Sequence, residues 1–418
     1  MLSTGKHLLG WLVAAAAVAH SAFGASSPAR ETQEPIHAAL YAANNGDGGP
    51  SVTAYGAGAR GCTAPFRKLA GQGIVIENPG KPAFNSAGHL FIPDQGESAV
   101  FEYAPGAQGN MTPINTIGGD RTEIGQAIGV ALDRRDNLFV TDLSRDAIHV
   151  FGPEARFHTP PIRRIIGSST RLSAPTGVAI DSIGRIFVAN TGGSITEYPA
   201  GASGDVAPIA EIRGPATGLR RPSGVALDAA GHIFVADGKS IIEYAKGATG
   251  NAPPIATIAG DLTGLEDDGH DVVVDATGTI AVNNYFHNTI TEFASGANGN
   301  VAPITTISGR ATGVSRPSGL ALATPAVVSS FAGPTGFHHH ELRGIVTPNG
   351  SDTQYYFQYG PTTSYGQRTP STSANHGTGP ISVKALISTP PPGTTHFQLV
   401  ASNAAGTKYS RDRSFQVG

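Results

Sequence analysis

Between Ile36 and Ala323 the apolar residues fall into short strand-like runs, four to a unit, and the unit recurs about every 47 to 50 residues. The copy beginning at Ser223 shows the pattern best: SGVALD, HIFVAD, SIIEYA and PIATIAG are separated by Gly, Asp, Asn and Pro clusters that punctuate turns. The second strand can be followed through the chain as LYAAN ending at Asn44, LFIPD at Asp94, LFVTD at Asp142, IFVAN at Asn190, IFVAD at Asp237 and IAVNN at Asn284. Six copies predict six four-stranded antiparallel sheets. The first copy starts at its second strand, at Ala39, whereas a lone SGLALA, Ser318 to Ala323, follows the last copy. The two ends therefore supply complementary parts of one sheet, and pairing them removes an open edge that would otherwise template aggregation.

A four-strand unit of this length predicts the blade of a β-propeller rather than a helical solenoid or a β-helix. The expected fold class is all-β, with a six-bladed propeller over 36–323 closed by its N- and C-terminal strands. The GVALD and IFVAD runs at Gly129 to Asp142, Gly177 to Asn190, Gly224 to Asp237 and, more loosely, Asp271 to Asn284 resemble the NHL-repeat propellers. The resemblance covers some 285 residues. It implies a fold and not an activity, because this architecture carries enzymes, scaffolds and ligand-binding proteins alike.

Lys6 and His7 precede the apolar run Leu8 to Ala19, and Ser21 to Ala25 offers small residues for cleavage after Gly24. This reads as a signal peptide over 1–24 and predicts a secreted or periplasmic protein. The run is shorter than the roughly 20 residues that span a bilayer, so no membrane insertion is expected after cleavage. Past Ala323 the repeat stops, and 324–340 reads as a linker rich in small residues, Pro and Gly. From Glu341 to Gly418 alternating runs predict a small β-sandwich, and YYFQYG at Tyr355 to Gly360 with HFQLVASNAAG at His396 to Gly406 resembles fibronectin type III modules of bacterial secreted proteins. The only tryptophan is Trp11, in the leader, so another aromatic must fill the core of this module.

Composition narrows the function little. A formal net charge of -3 with no long basic run predicts no nucleic-acid partner. The single cysteine, Cys62, excludes an intramolecular disulfide framework; it occupies a turn slot filled by Asn110, Asp205, Asn251 and Asn300 in other copies. There is no GxSxG, no GxxxxGK[ST] and no CxxC. His338-His339-His340-Glu341 lacks the second spaced His of HExxH and reads as solvated linker. Asn44 to Gly48 reads as a turn rather than a calcium loop.

Residues common to all copies serve the blade, so a site is sought where a copy departs from the others. Asp133, Asp181, Asp228 and Asp275 end first strands, where a carboxylate bonds the backbone two residues on. Glu102, Glu197, Glu243 and Glu292 recur in third strands. In an antiparallel blade the loop into the first strand and the loop after the second lie on one face. Taking the residues leading into first strands as Ala83, Ile128, Thr176, Ser223, His270 and Ser318 makes His270 the exception. It sits in Leu265 to Asp271, which includes Asp267 and Asp268, and the same copy carries Asn283-Asn284-Tyr285-Phe286-His287.

The ligand-binding candidates are therefore His270, Asp267, Asp268, Asn284, Asp237, Arg220 and Arg221. Asp268 and His270 are the candidate ligands of a divalent metal, the one cofactor considered, and no catalytic residue is assigned. Three functions follow: a binding or scaffold propeller for a protein or glycan; a metal-dependent hydrolase or lyase, since gluconolactonase and streptogramin-lyase propellers are similar in architecture; and an architectural cell-surface component. The residues fit the second class poorly, because the lactonases place an Asn at the start of a first strand and Asp268-Gly269 departs from the PHG-like context of the lyase histidine.

Overall fold

A computed structural model of the chain describes residues 38–265, 271–334 and 339–417; the proposed leader, 1–24, lies outside them. The fold is all-β and built from repeated four-stranded antiparallel sheets. The first joins Pro317–Ala323 to Ala39–Gly46, Gly49–Tyr55 and Arg67–Ala70, with Ala39 opposite Ala323 and Tyr41 opposite Ala321. The next five begin at Ala83, Ala127, Pro175, Pro222 and Val272. The inner strand of each lies against the next, and Pro317–Ala323 lies between Val272–Val274 and Ala83–Phe84.

Alternation along the strands places apolar residues on both faces of each sheet, so the core consists of layers between neighbours. Phe139, Ile148 and Val150 of the third sheet pack on Ile186, Val188 and Tyr198 of the fourth. Polar contacts then lock one sheet to the next. After the outer strands the chain makes a short turn, 3-10 in all but the one after Ala256–Ala259, beginning at a glycine with positive φ, and the hydroxyl of Thr122, Thr170, Thr217, Thr263 or Thr312 bonds back to that glycine's carbonyl at 2.7 Å. The buried phenol at the end of the following third strand donates to the same turn: Tyr55 to Thr312 O at 2.7 Å, Tyr198 to Thr170 O at 2.5 Å and Tyr244 to Thr217 O at 2.6 Å. Burial of these phenols raises the Tyr55 and Tyr198 pKa values to about 12, so the O–H stays a donor at every physiological pH.

A second latch explains the recurring turn slot. The side-chain oxygens of Asn110, Asp205, Asn251 and Asn300 accept the N–H groups of Gly73, Ser169, Ala216 and Leu262 in the preceding sheet's turn, at 2.5, 2.7, 2.7 and 2.8 Å. Cys62 fills this slot at the joint between the last sheet and the first, where a Cβ on Gly309 would lie 2.8 Å from its Sγ. The backbone half of that joint is intact, Gly61 N–H donating to Thr306 O at 2.8 Å.

The strands from Ala326 to Val417 form a three-stranded and a six-stranded antiparallel sheet, with Leu342, Val346, Phe357, Phe397 and Leu399 between them. Phe357 and Phe397 supply the aromatic core that a tryptophan does not. The expected linker is different: Ala326–Pro334 is a strand paired with His339–Thr347, with a register shift between Ser329 and Phe331, and its β-branched Val327-Val328 suit a strand. Glu341 bonds Arg343 and Lys384, and His340 stacks on Phe415, so this part of the histidine run is built into the sandwich rather than solvated.

The sandwich sits on the face formed by the turns between first and second strands. Ala276 N–H donates to Ala404 O at 2.7 Å, Val327 N–H to Ser86 O at 3.1 Å, and Arg134 lies over the Tyr409 ring at 5.5 Å. Ala404 and Ala405, at the tip of a hairpin, pack against the cluster containing Leu320 and Ala281. One end of the space between the inner strands is thus filled by the C-terminal unit.

Candidate functional site

Strand register corrects the sequence alignment of one copy. Ala83 pairs with Phe91 as Ala226 pairs with Phe234, so the residue leading into that first strand is Gly80, and Ala83 is an inner-strand residue. On this register one inner position reads Lys81, Gly129, Gly177, Gly224, Asp271 and Gly319. Glycine is required there by close approach: a Cβ on Gly129 would stand 2.3 Å from Thr176 O, and one on Gly319 would stand 2.5 Å from Lys81 Cα. The two copies that break the rule carry opposite charges.

Those charges meet. Lys81 Nζ lies 3.6 Å from Asp271 Oδ1, with side-chain exposures of 10% and 8%, and also donates to Ser223 O. Lys81 therefore reaches from the second sheet to the fifth and sixth. Asp271 Oδ2 accepts Leu320 N–H at 3.0 Å, and Asp271 N–H donates to Asn283 Oδ1 at 2.7 Å. Burial pushes the Lys81 ammonium down from its ordinary pKa and the Asp271 carboxyl up, each shift opposed by the partner's charge. Beyond the pair a cavity of about 260 Å³ runs along the inner strands, walled by residues such as Val130, Val178, Val225 and Leu320, to Ala405 and Lys408 of the sandwich.

Of the sequence candidates, Asp237, Asn284, Arg220 and Arg221 lie among the described residues, at or beside the ends of first and second strands. Asp237 is buried, and its carboxylate accepts the backbone N–H groups of Arg220 and Arg221 at 2.5 and 2.8 Å. These three residues are brought together, but through the main chain; the guanidinium-bearing residues themselves are exposed. Asp94 and Asp142 hold the equivalent N–H pairs in their own sheets. Asn284 is buried, donates to Thr289 and Thr291 hydroxyls at 3.0 and 3.3 Å, and its Oδ1 has no partner among the described residues. Asp267, Asp268 and His270 lie outside the described residues, and among the described residues no group of three or more His, Cys, Asp or Glu is arranged to hold a metal. The loop after Asn284 presents Tyr285 edge-on to Phe286, whose exposure is 62%.

Sequence reasoning missed Lys81 and Asp271. Their signal was the glycine column, hidden because KPAFN lacks the GVALD pattern and was aligned from the wrong residue.

No family model matches the chain, and no curated protein matches it. Among solved structures it is similar to the WD40 β-propeller domain of Doa1, at 10% identity over 64% of this chain and 81% of that one, TM-score 0.44. It is also similar to virginiamycin B lyase from Staphylococcus aureus, at 11% identity over 82% and 97%, TM-score 0.41. A protein of unknown function from Bacteroides caccae shares 8% identity over 68% and 98%, TM-score 0.48. These likenesses concern the fold alone.

Proposed function

We propose that the chain is an exported, NHL-like six-bladed propeller closed by its terminal strands, fused to a fibronectin type III-like sandwich, and that it binds a protein or glycan. The observation that carries this reading is the placement of the sandwich. It occupies the face of first-to-second-strand turns, with Ala276 bonded to Ala404 and Ser86 to Val327, and leaves the opposite loop face to a ligand. That face carries exposed Phe286 beside Tyr285 and the exposed Arg220 and Arg221, residue types that dominate binding hot spots. Aromatic faces and arginine forks also suit sugar rings and carboxylates.

The alternative of a metal-dependent hydrolase or lyase rests on Asp268 and His270, and the architectural role needs neither ligand nor metal. The test applies the mature chain, 25–418, to glycan and protein arrays with and without chelator, alongside lactone and lyase substrates. Saturable binding unchanged by chelator and without turnover is expected; chelator-sensitive turnover would replace this reading by the enzyme, and neither binding nor turnover by the architectural role.

A further inference from the structure

The C-terminal sandwich leaves one strand edge open. Ile381–Ser388 is the terminal strand of its three-stranded sheet, bonded on one side to His339–Thr347 in a register that runs without a shift from His339 opposite Ser388 to Val346 opposite Ile381. On its other side it makes no backbone hydrogen bond among the described residues. A row of free N–H and C=O groups is a template for another strand, and proteins blunt such edges with short strands, bulges, prolines or charges. Among the described residues the other edges are blunted. The outer strands of the propeller sheets are three or four residues long, and all but Asn115–Ile117 are bridged by a glycine of the adjoining sheet. The edge strands of the six-stranded sheet, such as Gln367–Arg368 and Gly406–Tyr409, are short, and Ala326–Pro334 has a register shift between Ser329 and Phe331. Ile381–Ser388 has eight residues, no such shift and no internal proline, Pro380 and Pro390 standing outside it. Its single charge, Lys384, is turned back onto Glu341 of its own chain at 3.2 Å, and Leu386, on the same outer face, is 62% exposed.

We infer that this edge is a homodimer interface, at which Ile381–Ser388 pairs antiparallel with the same strand of a second copy and joins the two three-stranded sheets into one. The occupant follows from the strand's own sequence. In Ser382-Val383-Lys384-Ala385-Leu386-Ile387-Ser388 the serines at the two ends, and Val383 and Ile387 inside them, are symmetric about Ala385, and a two-fold antiparallel pair brings each position to its mirror position. Centred on Ala385, Val383 meets Ile387 of the second copy on the side where both are buried in the sandwich core, and Lys384 lays its stem beside exposed Leu386 of the second copy. A pair centred on Lys384 would instead set the two lysines opposite each other, which destabilises a ladder. A foreign strand could satisfy the backbone, but nothing in it would call for this symmetry. The contact is made by the sandwich alone and does not depend on the ligand of the loop face.

Sedimentation equilibrium of the chain 25–418 tests the inference, under reducing conditions that keep exposed Cys62 from linking copies. One strand edge per copy is a small contact, so a monomer–dimer equilibrium is expected between about 1 and about 200 μM. Leu386→Lys sets a new lysine opposite Lys384 of the other copy, twice across the two-fold, and is expected to raise the dissociation constant at least tenfold with the melting transition retained. Leu262→Lys, which changes a comparably exposed leucine of the propeller, is expected to leave it unchanged. In a Cys62→Ser background, Ala385→Cys is expected to form a disulfide-linked dimer on mild oxidation and Ser388→Cys to form none, because only position 385 meets itself. A monomer throughout the range, a dimer unaffected by Leu386→Lys, or cross-linking by Ser388→Cys in place of Ala385→Cys would overturn the inference.

Discussion

Lys81 and Asp271 form a buried ion pair that bridges the inner ring, and a double-mutant cycle measures it. At 3.6 Å the pair's Coulomb attraction is about 4 to 5 kcal/mol at an effective dielectric of 20. Desolvation of two buried ions costs several kcal/mol each, so the pair as a whole is near neutral against apolar or amide replacements. Removing one partner is different, since it strands the other charge. Lys81→Met leaves Asp271 buried with only the N–H donors of Leu320 and Val272, and the expected loss is about 3 to 5 kcal/mol. Asp271→Asn is expected to cost somewhat less, because burial already lowers the Lys81 pKa and a neutral amine remains bonded to Ser223 O. The double variant should cost no more than the worse single one, giving a coupling of at least about 2 kcal/mol. Equilibrium urea denaturation of the four proteins reads this as midpoint shifts at constant slope. Losses that add to within about 0.5 kcal/mol would show that the two side chains do not sense each other and would refute the bridged ring.

Other consequences are as direct. Cys62→Asn should supply the latch that Asn110, Asn251 and Asn300 supply elsewhere, offering a carbonyl to Ala311 N–H, and raise stability by about 0.5 to 1.5 kcal/mol in the same assay; an unchanged or lowered midpoint would contradict the assignment. Tyr198→Phe deletes one hydrogen bond without opening a cavity, as Phe151 and Phe293 stand at the same position in other sheets, and should cost about 1 kcal/mol. Asp142 accepts N–H groups from Gly125 and Gln126, the Ser144 hydroxyl and His149 Nε2 at 3.2 Å, which together hold its pKa below the ordinary carboxylate value. Its folded pKa is depressed, so its contribution is complete above an unfolded value of about 3.9 and is lost as pH falls below that toward the folded value. Asp142→Asn should therefore cost about 2 kcal/mol at pH 7 and flatten the acid limb of the stability profile; an acid limb identical to wild type would count against it.

The strand pattern made much of the fold legible because each copy repeats its alternation and its turn residues, so errors in one copy are corrected by the others. Asp133, Asp181 and Asp275 close their turns as read, each accepting the N–H two residues on. The same redundancy hid the inner ring. Lys81 and Asp271 are legible only once register assigns them to the glycine column, and their partnership joins residues 190 positions apart in sequence, which no local pattern encodes. Asp237 illustrates the reverse case: its place at a strand end suggested a ligand contact, whereas the residue is buried and two main-chain N–H groups occupy its oxygens. The linker reading failed on Ala326–Pro334, where neighbouring Pro and Gly masked a Val-Val pair that pairs as strand.

The claim that the loop face opposite the sandwich carries the ligand is tested most directly by titrating an array-identified protein or glycan against three folded proteins. These are wild type, the loop-face variant Arg220→Glu with Phe286→Ala, and the sandwich variant Arg368→Glu, whose guanidinium lies over Tyr356 away from that face. The account predicts at least a tenfold loss of affinity in the loop-face variant and wild-type affinity in the sandwich variant. The opposite ranking, or equal affinity for all three, would contradict it.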